Sequence, residues 1–382
     1  MYSPAPLPHW RDLFLACVAT ESTGYGNDGL ANPWLYFKRQ GIWFSRASWG
    51  LASLVYWWRK QHGDKAPTLW LPDYFCNVAT IAARAAGARL VFYPIGDELQ
   101  PNWTRCAAMA QDGIDFFVLV HYFGRAADIT NARLFCQQWN ALLIEDAVHV
   151  LRPSEGIGAL SDFVFFSPHK TLAVPDGAVL FARDDTLAKS LTADIKTYLS
   201  GSVRSSSSTN FWIAKRVIQR CLPSALMSAW LRQRLPDFGT DPPSHPIPEP
   251  EMSTLARRLL VRASSELEVI AASRRDNWYA LLSAWEKLKA PIQPLWTTLT
   301  PAEVPYRYIL RCVDSPTAAH LYDRLRKIGF PVHSWPDLPP EVAAAPDKHS
   351  VAVRLRQTLI FMPVHDKIDT ATVVRKCAGL GG

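Results

Sequence analysis

Between residues 66 and 184, short apolar runs recur at intervals that leave room for a helix between them. Thr68–Leu71, Arg89–Tyr93, Phe116–His121, Ala141–Glu145, Phe163–Ser167 and Val179–Ala182 each read as a strand bounded by turn residues. Residues 78–86 and 131–139 carry apolar side chains at helical spacing, and Gly87 stands where the first of those helices should end. Strands alternating with helices imply βαβ units and a mainly parallel sheet covered on both faces. In such a sheet ligands collect beyond the carboxyl ends of the strands. The residues just after each strand are therefore the ones to examine for function.

The rest of the chain divides around this segment. Residues 1–40 form an N-terminal segment, and 41–235 the large domain. Six prolines (Pro236, Pro242, Pro243, Pro246, Pro248 and Pro250) make 236–250 an extended linker, because proline fixes φ and removes a backbone donor. Residues 252–289 carry helical periodicity, long enough for one bent helix or two. Beyond Pro291 the pattern is strand at 306–312, helix at 317–328 and strand at 329–333, so 251–382 holds the long helical stretch and a smaller α/β domain. The polar run 205–208 reads as a loop.

Composition excludes several functions. The formal charge is +7, yet there is no basic run and no nucleic-acid-binding signature. A mild basic excess suits a pocket for phosphate-bearing small molecules. No stretch reaches the ~18 apolar residues of a membrane span. Arg11 and Asp12 directly precede the short N-terminal apolar patch, so a secretory leader is not expected there. The seven cysteines are scattered without a CxxC pair, so neither a zinc ribbon nor a disulfide framework is indicated. Reduced thiols fit a cytoplasmic setting, with no membrane and no nucleic acid as partner.

The segment 142–180 carries the chemistry. Glu145 and Asp146 end one strand, and His149 follows. Ser167 ends the next strand, and Lys170 stands in the turn beyond it. Singly, Asp146 reads as a helix cap and Lys170 as a solvated surface residue. Together, on consecutive strand ends, they match the needs of pyridoxal 5′-phosphate. A lysine amine condenses with its aldehyde, a carboxylate keeps its ring nitrogen protonated, and a hydroxyl donates to its phosphate. His149 can hold Asp146 or contact the ring.

IEDAVH at 144–149 and FSPHKTLAVPDGAVL at 166–180 resemble the acidic-strand and lysine motifs of the DegT/StrS-type aminotransferases. Those are fold-type I pyridoxal-phosphate enzymes that mostly aminate nucleotide-linked keto-sugars. LPDYFCNVATIAARAAGARLVFYPI at 71–95, LVHYFGRAADI at 119–129, SWPDLP at 334–339 and FMPVH at 361–365 agree in order and spacing. The resemblance implies a large α/β/α domain with a central, mostly parallel sheet and a smaller C-terminal α/β domain. It also implies that Lys170 holds the cofactor and Asp146 pairs with its ring nitrogen, both as catalytic residues, with His149 near the ring and Ser167 on the phosphate.

Where the family has a Gly-Thr/Ser-Ala turn, this chain has Ser45-Arg46-Ala47-Ser48-Trp49. Arg46, Ala47 and Ser48 become the phosphate candidates, because backbone N–H groups at a helix start suit an anion. Cys76 falls at the ring-stacking position beside Tyr74 and Phe75, and the glycine pair after the lysine turn is reduced to Asp176-Gly177-Ala178.

Substrate candidates are His121 and Tyr122 at a strand end, Asn210 in the segment 204–210 that would cross to a neighbouring subunit, and His333. Trp335 and His365 stand with His333 in the small domain, while Arg274, Arg275 and Asn277 read as an exposed helix face. The implied activity is amino transfer from glutamate to a nucleotide-linked keto-sugar, in polysaccharide or secondary-metabolite biosynthesis, by a homodimer. A pyridoxamine-dependent sugar dehydratase is the alternative, opposed by Lys170, since such enzymes typically carry histidine there. The atypical phosphate turn motivates another, a catalytically decayed binding or scaffold protein.

Overall fold

The computed structural model describes residues 5–18, 27–35, 41–199, 207–221, 249–286 and 291–366, with Leu226, Phe238, Gly239 and Ile368. Its first part carries α1 (Trp10–Val18), α2 (Asn27–Leu30), β1 (Ile42–Phe44) and α3 (Ala47–Gln61). The alternation follows as β2 (Thr68–Pro72), α4 (Asn77–Ala85), β3 (Arg89–Tyr93), α5 (Trp103–Met109), β4 (Phe116–Val120) and α6 (Ile129–Gln138). It continues with β5 (Leu142–Ala147), β6 (Phe163–Phe166), α7 (Pro168–Thr171) and β7 (Ala178–Ala182). Helices α8 (Asp185–Leu199), α9 (Ser207–Cys221), α10 (Thr254–Ser264) and α11 (Leu267–Glu286) come next. Last are β8 (Ile292–Pro294), β9 (Arg307–Cys312), α12 (Ser315–Lys327), α13 (Pro340–Ala343), α14 (Ser350–Thr358) and β10 (Leu359–Pro363).

The large sheet has seven strands in the order β1-β7-β6-β5-β4-β2-β3. Strands β2 to β6 run parallel, and β7 is reversed against both neighbours. Strands β2, β4 and β7 are buried along their whole length, which is why they read as continuous apolar runs. Helix α3 approaches so closely that a Cβ on Gly50 would stand 2.3 Å from the Phe165 ring.

Register brings the site together. Val120, Asp146 and Phe165 lie side by side across β4, β5 and β6. The chain just beyond them (His121, Ala147 and then Ser167) emerges at one edge. Strand β7 starts from that edge and pairs Ala178 with Phe44, so the beginning of α3 returns to it as well.

The second sheet is antiparallel, in the order β10-β9-β8. Packed against it, Trp278, Trp285, Tyr308, Tyr322 and Phe330 form a separate core. Trp335, Leu355 and Phe361 from the same part join the core of the large sheet. Asp73 and His349, both buried, bond across the contact at 3.0 Å.

Several expectations change. The strand expected at 329–333 is a single bridge between His333 and Phe361. Pro331 and Pro336 flank it and remove donors a ladder needs. The third strand is the short β8, hidden in the sequence between Pro291 and Pro294. The stretch 252–289 is two helices, parted at Ser265 and Glu266, with 287–290 outside the described residues. Ser207 and Ser208 open α9 rather than lying in a loop. Of the linker 236–250, only Phe238, Gly239, Glu249 and Pro250 are described, and 204–206 lie outside the described residues.

Candidate active site

Asp146 and Lys170 are charged groups left half-open at this edge. Asp146 accepts from the Val148 amide at 3.1 Å. Burial raises its pKa, while the charge of Lys170 pulls the other way, so the two groups act on each other. Lys170 sits in the single turn of α7, where its amide donates to Ser167 O at 2.9 Å.

His149 lies beside the amine, its Nε2 3.4 Å from Lys170 Nζ. Its ring stacks on Tyr306 at 4.5 Å and lies parallel to Phe123 at 5.7 Å, with Trp335 edge-on at 6.2 Å. Burial, then the charges of Lys170 and Arg307, push its pKa well below the usual histidine range, so the ring is neutral. Burial alone would raise the Tyr306 phenol, but Arg307 and Lys170 hold it below its ordinary value.

The turn after β4 shapes this wall. Phe123 has φ 57 and ψ 20, a left-handed conformation that costs a non-glycine residue ~1–2 kcal/mol. Gly124 follows at φ 91, and a Cβ there would stand 2.5 Å from Val304 O. Phe123 donates its amide to His149 Nδ1 at 3.3 Å and accepts from the Tyr306 amide at 2.8 Å.

Anion-binding groups face the same edge. Helix α3 begins at Ala47 with no side-chain cap, so its first N–H groups keep the character of an anion site. Ala47 and Ser48 are half-exposed there. Arg46 reaches back instead, donating to Ser45 O at 2.9 Å and Pro175 O at 3.2 Å. Burial lowers its pKa and Asp176 opposes this. Ser167 Oγ is 2.8 Å from His169 Nδ1, which is also 3.1 Å from Gly177 O. A carbonyl only accepts, so His169 carries its proton on Nδ1, and the Ser167 hydroxyl proton is left to point elsewhere. An amine, a half-open carboxylate, a free hydroxyl proton and an uncapped helix start are the donor set that pyridoxal phosphate requires, so these residues fit that group.

The other sequence candidates are placed differently. His121 is fully buried; its Nδ1 accepts from the Ala127 amide at 2.9 Å and its Nε2 donates to Glu145 Oε2 at 2.8 Å. Tyr122 donates its hydroxyl to Tyr74 O at 2.6 Å. The polar atoms of both are engaged inside the protein, the arrangement of packed core residues. Cys76 is half-buried at the N-cap of α4. Asn210 is exposed on α9. His333 has a buried Nε2 with no partner among the described residues, and burial, helped by Arg307, brings its pKa down to about 3.

Arg274 corrects the expectation of an exposed helix face. It is 1% exposed and donates to Thr171 O at 2.7 Å, Pro305 O at 3.3 Å and Tyr306 O at 3.4 Å. Three carbonyls compensate its desolvation, and α11 is thereby stapled to the turn that carries Lys170. Asn277 donates to Val364 O and His365 O, and Arg275 to Thr300 O and Glu303 O. Sequence reasoning missed Phe123, Tyr306 and Arg307. The only signal for the last two was an aromatic–basic pair at the head of a strand.

Among the described residues no cluster of metal-ligating side chains occurs, and no helix is long and apolar enough to cross a membrane. Residues 73–215 match the model of the DegT/DnrJ/EryC1/StrS aminotransferase family. A relative from Saccharopolyspora spinosa, dTDP-4-dehydro-2,3,6-trideoxy-D-glucose 4-aminotransferase, is 28% identical over 183 residues. That alignment spans 44% of this chain and 47% of the relative, about half the length of each.

Helicobacter pylori PseC, an aminotransferase of pseudoaminic acid biosynthesis, superposes with a TM-score of 0.72 at 12% identity, covering 100% of this chain and 99% of that one. A candidate sugar aminotransferase from Streptococcus pneumoniae, in its PMP form, gives 0.71 at 13% identity, covering 99% and 98%. At such identities the likeness is one of fold: a large, mostly parallel α/β domain of the aminotransferase type with a smaller C-terminal part. The matched stretch, residues 73–215, is the part of the chain that carries Asp146, His149, Ser167 and Lys170, and over it the chain is similar to the DegT/DnrJ/EryC1/StrS aminotransferases.

Proposed function

We propose that this protein is a pyridoxal-phosphate-dependent aminotransferase that moves an amino group from an amino-acid donor, glutamate, to a nucleotide-linked keto-sugar. The observation that carries the reading is the meeting of Lys170 and Asp146, half-open and electrostatically coupled, at the carboxyl edge of the large sheet. When bound, the cofactor supplies an aldehyde that takes up amines and a ring that withdraws electrons from the adjoining carbon.

The chain's own groups do the rest. Lys170 holds the aldehyde end and carries a proton at Nζ to and from the reacting carbon. Asp146 keeps a negative charge opposite the ring nitrogen. Burial raises its pKa despite the charge of Lys170, which is the cost of placing that carboxylate in a half-buried pocket. Ser167 and the start of α3 bind the phosphate, and the net charge of +7 favours a diphosphate-bearing acceptor. The relative from Saccharopolyspora spinosa, named for a dTDP-linked keto-sugar, supports that substrate class. The site is proposed to work in a cytoplasmic homodimer, with Asn210 and His333 as substrate contacts.

The test is direct. Purified protein should bind pyridoxal phosphate with a visible absorbance band, and borohydride should fix the cofactor onto Lys170. Glutamate should then transfer its amine to at least one member of a panel of nucleotide-linked keto-sugars. A protein that takes up no cofactor overturns the reading. One that binds it but aminates nothing in the panel supports a binding or scaffold role instead.

A further inference from the structure

We propose that the backbone amide of Phe123 locks His149 in its Nε2–H tautomer, making His149 a positioning residue that donates a hydrogen bond to the Lys170 amine. A neutral imidazole has one donor and one acceptor nitrogen, and a neighbour of fixed polarity decides which is which. A backbone N–H can only donate. The Phe123 amide, 3.3 Å from Nδ1, therefore makes Nδ1 the acceptor and leaves the proton on Nε2. Nε2 faces Lys170 Nζ at 3.4 Å. Only an uncharged amine offers a lone pair to that proton, so the bond forms when Lys170 is uncharged and is given up when that lone pair attacks a carbonyl carbon.

The strained turn acquires a purpose on this account. Phe123 at φ 57 aims its amide inward at the histidine, and its carbonyl takes the Tyr306 amide. The rings of Phe123 and Tyr306 lie parallel to the imidazole, with centroids at 5.7 and 4.5 Å, and hinder it from turning over. Flipping the ring would set a C–H against the Phe123 amide and lose both bonds. Among the described residues the groups around the ring are Lys170, Arg307, Tyr306, Phe123 and Trp335, and none of these is a carboxylate that would stabilise a proton on both nitrogens. His149 is thus a fixed donor toward Lys170 and not its base.

The inference rests on the proposed role of Lys170 only for its catalytic consequence. The tautomer is a property of the empty chain and is tested there. Long-range proton–nitrogen correlation spectra of histidine-labelled protein should show His149 protonated on Nε2 alone between about pH 6 and 8, with and without pyridoxal phosphate. The signal is assigned by its loss in His149→Gln. A proton on Nδ1, or on both nitrogens, overturns the lock even if the cofactor binds; absence of cofactor binding refutes the proposed function while the lock is still read on the empty protein.

Two kinds of variant separate backbone from ring and donor from bulk. Phe123→Gly keeps the amide and suits the left-handed φ, so the tautomer should persist; a switch to Nδ1–H would show that the ring, not the amide, sets it. Glutamine places an N–H where Nε2 stands, whereas asparagine reaches only the Nδ1 position. His149→Asn should bind cofactor roughly 10-fold more weakly than His149→Gln. Equal affinity for the two would refute the donor role.

Discussion

Glu145 and Asp146 are neighbours on β5, and alternation sends them to opposite faces of the sheet. Glu145 is fully buried and receives both His121 Nε2–H and the Gly158 amide, each at 2.8 Å. Asp146 is half-open, receives one backbone amide and faces Lys170. The same functional group, one residue apart, is thus closed by its own fold on one face and left for an outside partner on the other. A carboxylate–histidine contact therefore identifies no site by itself. What marks the site is the carboxylate that stays half-open and faces an amine.

Lys170 is the sharpest way to break this contrast. Lys170→Ala should abolish cofactor capture and lower amino transfer roughly 10⁴-fold, with the folded protein's circular dichroism unchanged. Asp146→Asn comes second. It should lower turnover roughly 10²- to 10³-fold, because charge opposite the ring nitrogen is lost.

Asp146→Asn should also make the cofactor-free protein more stable, by about 1 kcal/mol. Burial holds Asp146 protonated to a higher pH in the folded chain than its ordinary value of 3.8. The folded state therefore binds more protons than the unfolded state between those values, and stability falls as pH rises through that window. The variant lacks this loss, so its advantage should appear above the window and vanish below about pH 4. Denaturant midpoints of both cofactor-free proteins at the two ends of the range check this.

Glu145→Gln should do the reverse. The carbonyl can still accept from His121 and Gly158, but it loses its charge, and the amide N–H groups take the place of Glu145 Oε1, which has no partner among the described residues. Stability should drop by about 1–3 kcal/mol while turnover stays within roughly threefold. Opposite signs of stability change at adjacent positions would support the comparison; two destabilised variants, with Glu145→Gln also inactive, would break it.

The open face was legible in the sequence because strand ends repeat. Asp146 and Lys170 each follow an apolar run, and parallel register alone carries them to one edge. The closed face was not. Whether His121 turns toward substrate or toward Glu145 depends on the Ala127 amide, which a turn delivers. Phe123, Tyr306 and Trp335 come from three separate stretches and meet only because the C-terminal part docks on the large sheet. Arg274 looked like a surface charge because periodicity cannot show which carbonyls of other elements will stand over a helix face. Proline hid β8 and also disguised 329–333 as a strand, since a short apolar run reads alike whether or not its amides find partners.

Ser167 gives the smallest effect and the finest resolution of the open face. Its hydroxyl is fully buried, yet the proton on His169 Nδ1 serves Gly177 O, so Ser167 donates to nothing that the contact requires. Removing it should leave stability nearly unchanged and weaken cofactor binding by about 2- to 12-fold, the net worth of one hydrogen bond. Pyridoxal, which lacks the phosphate, should bind Ser167→Ala and the unmodified protein equally well, as followed by the absorbance of the bound ring. If Ser167→Ala instead loses stability and binds both compounds as before, the hydroxyl belongs with Glu145 among the groups the fold has closed. The phosphate contact then passes to the first turn of α3, where Ala47 and Ser48 present their amides without a side-chain cap.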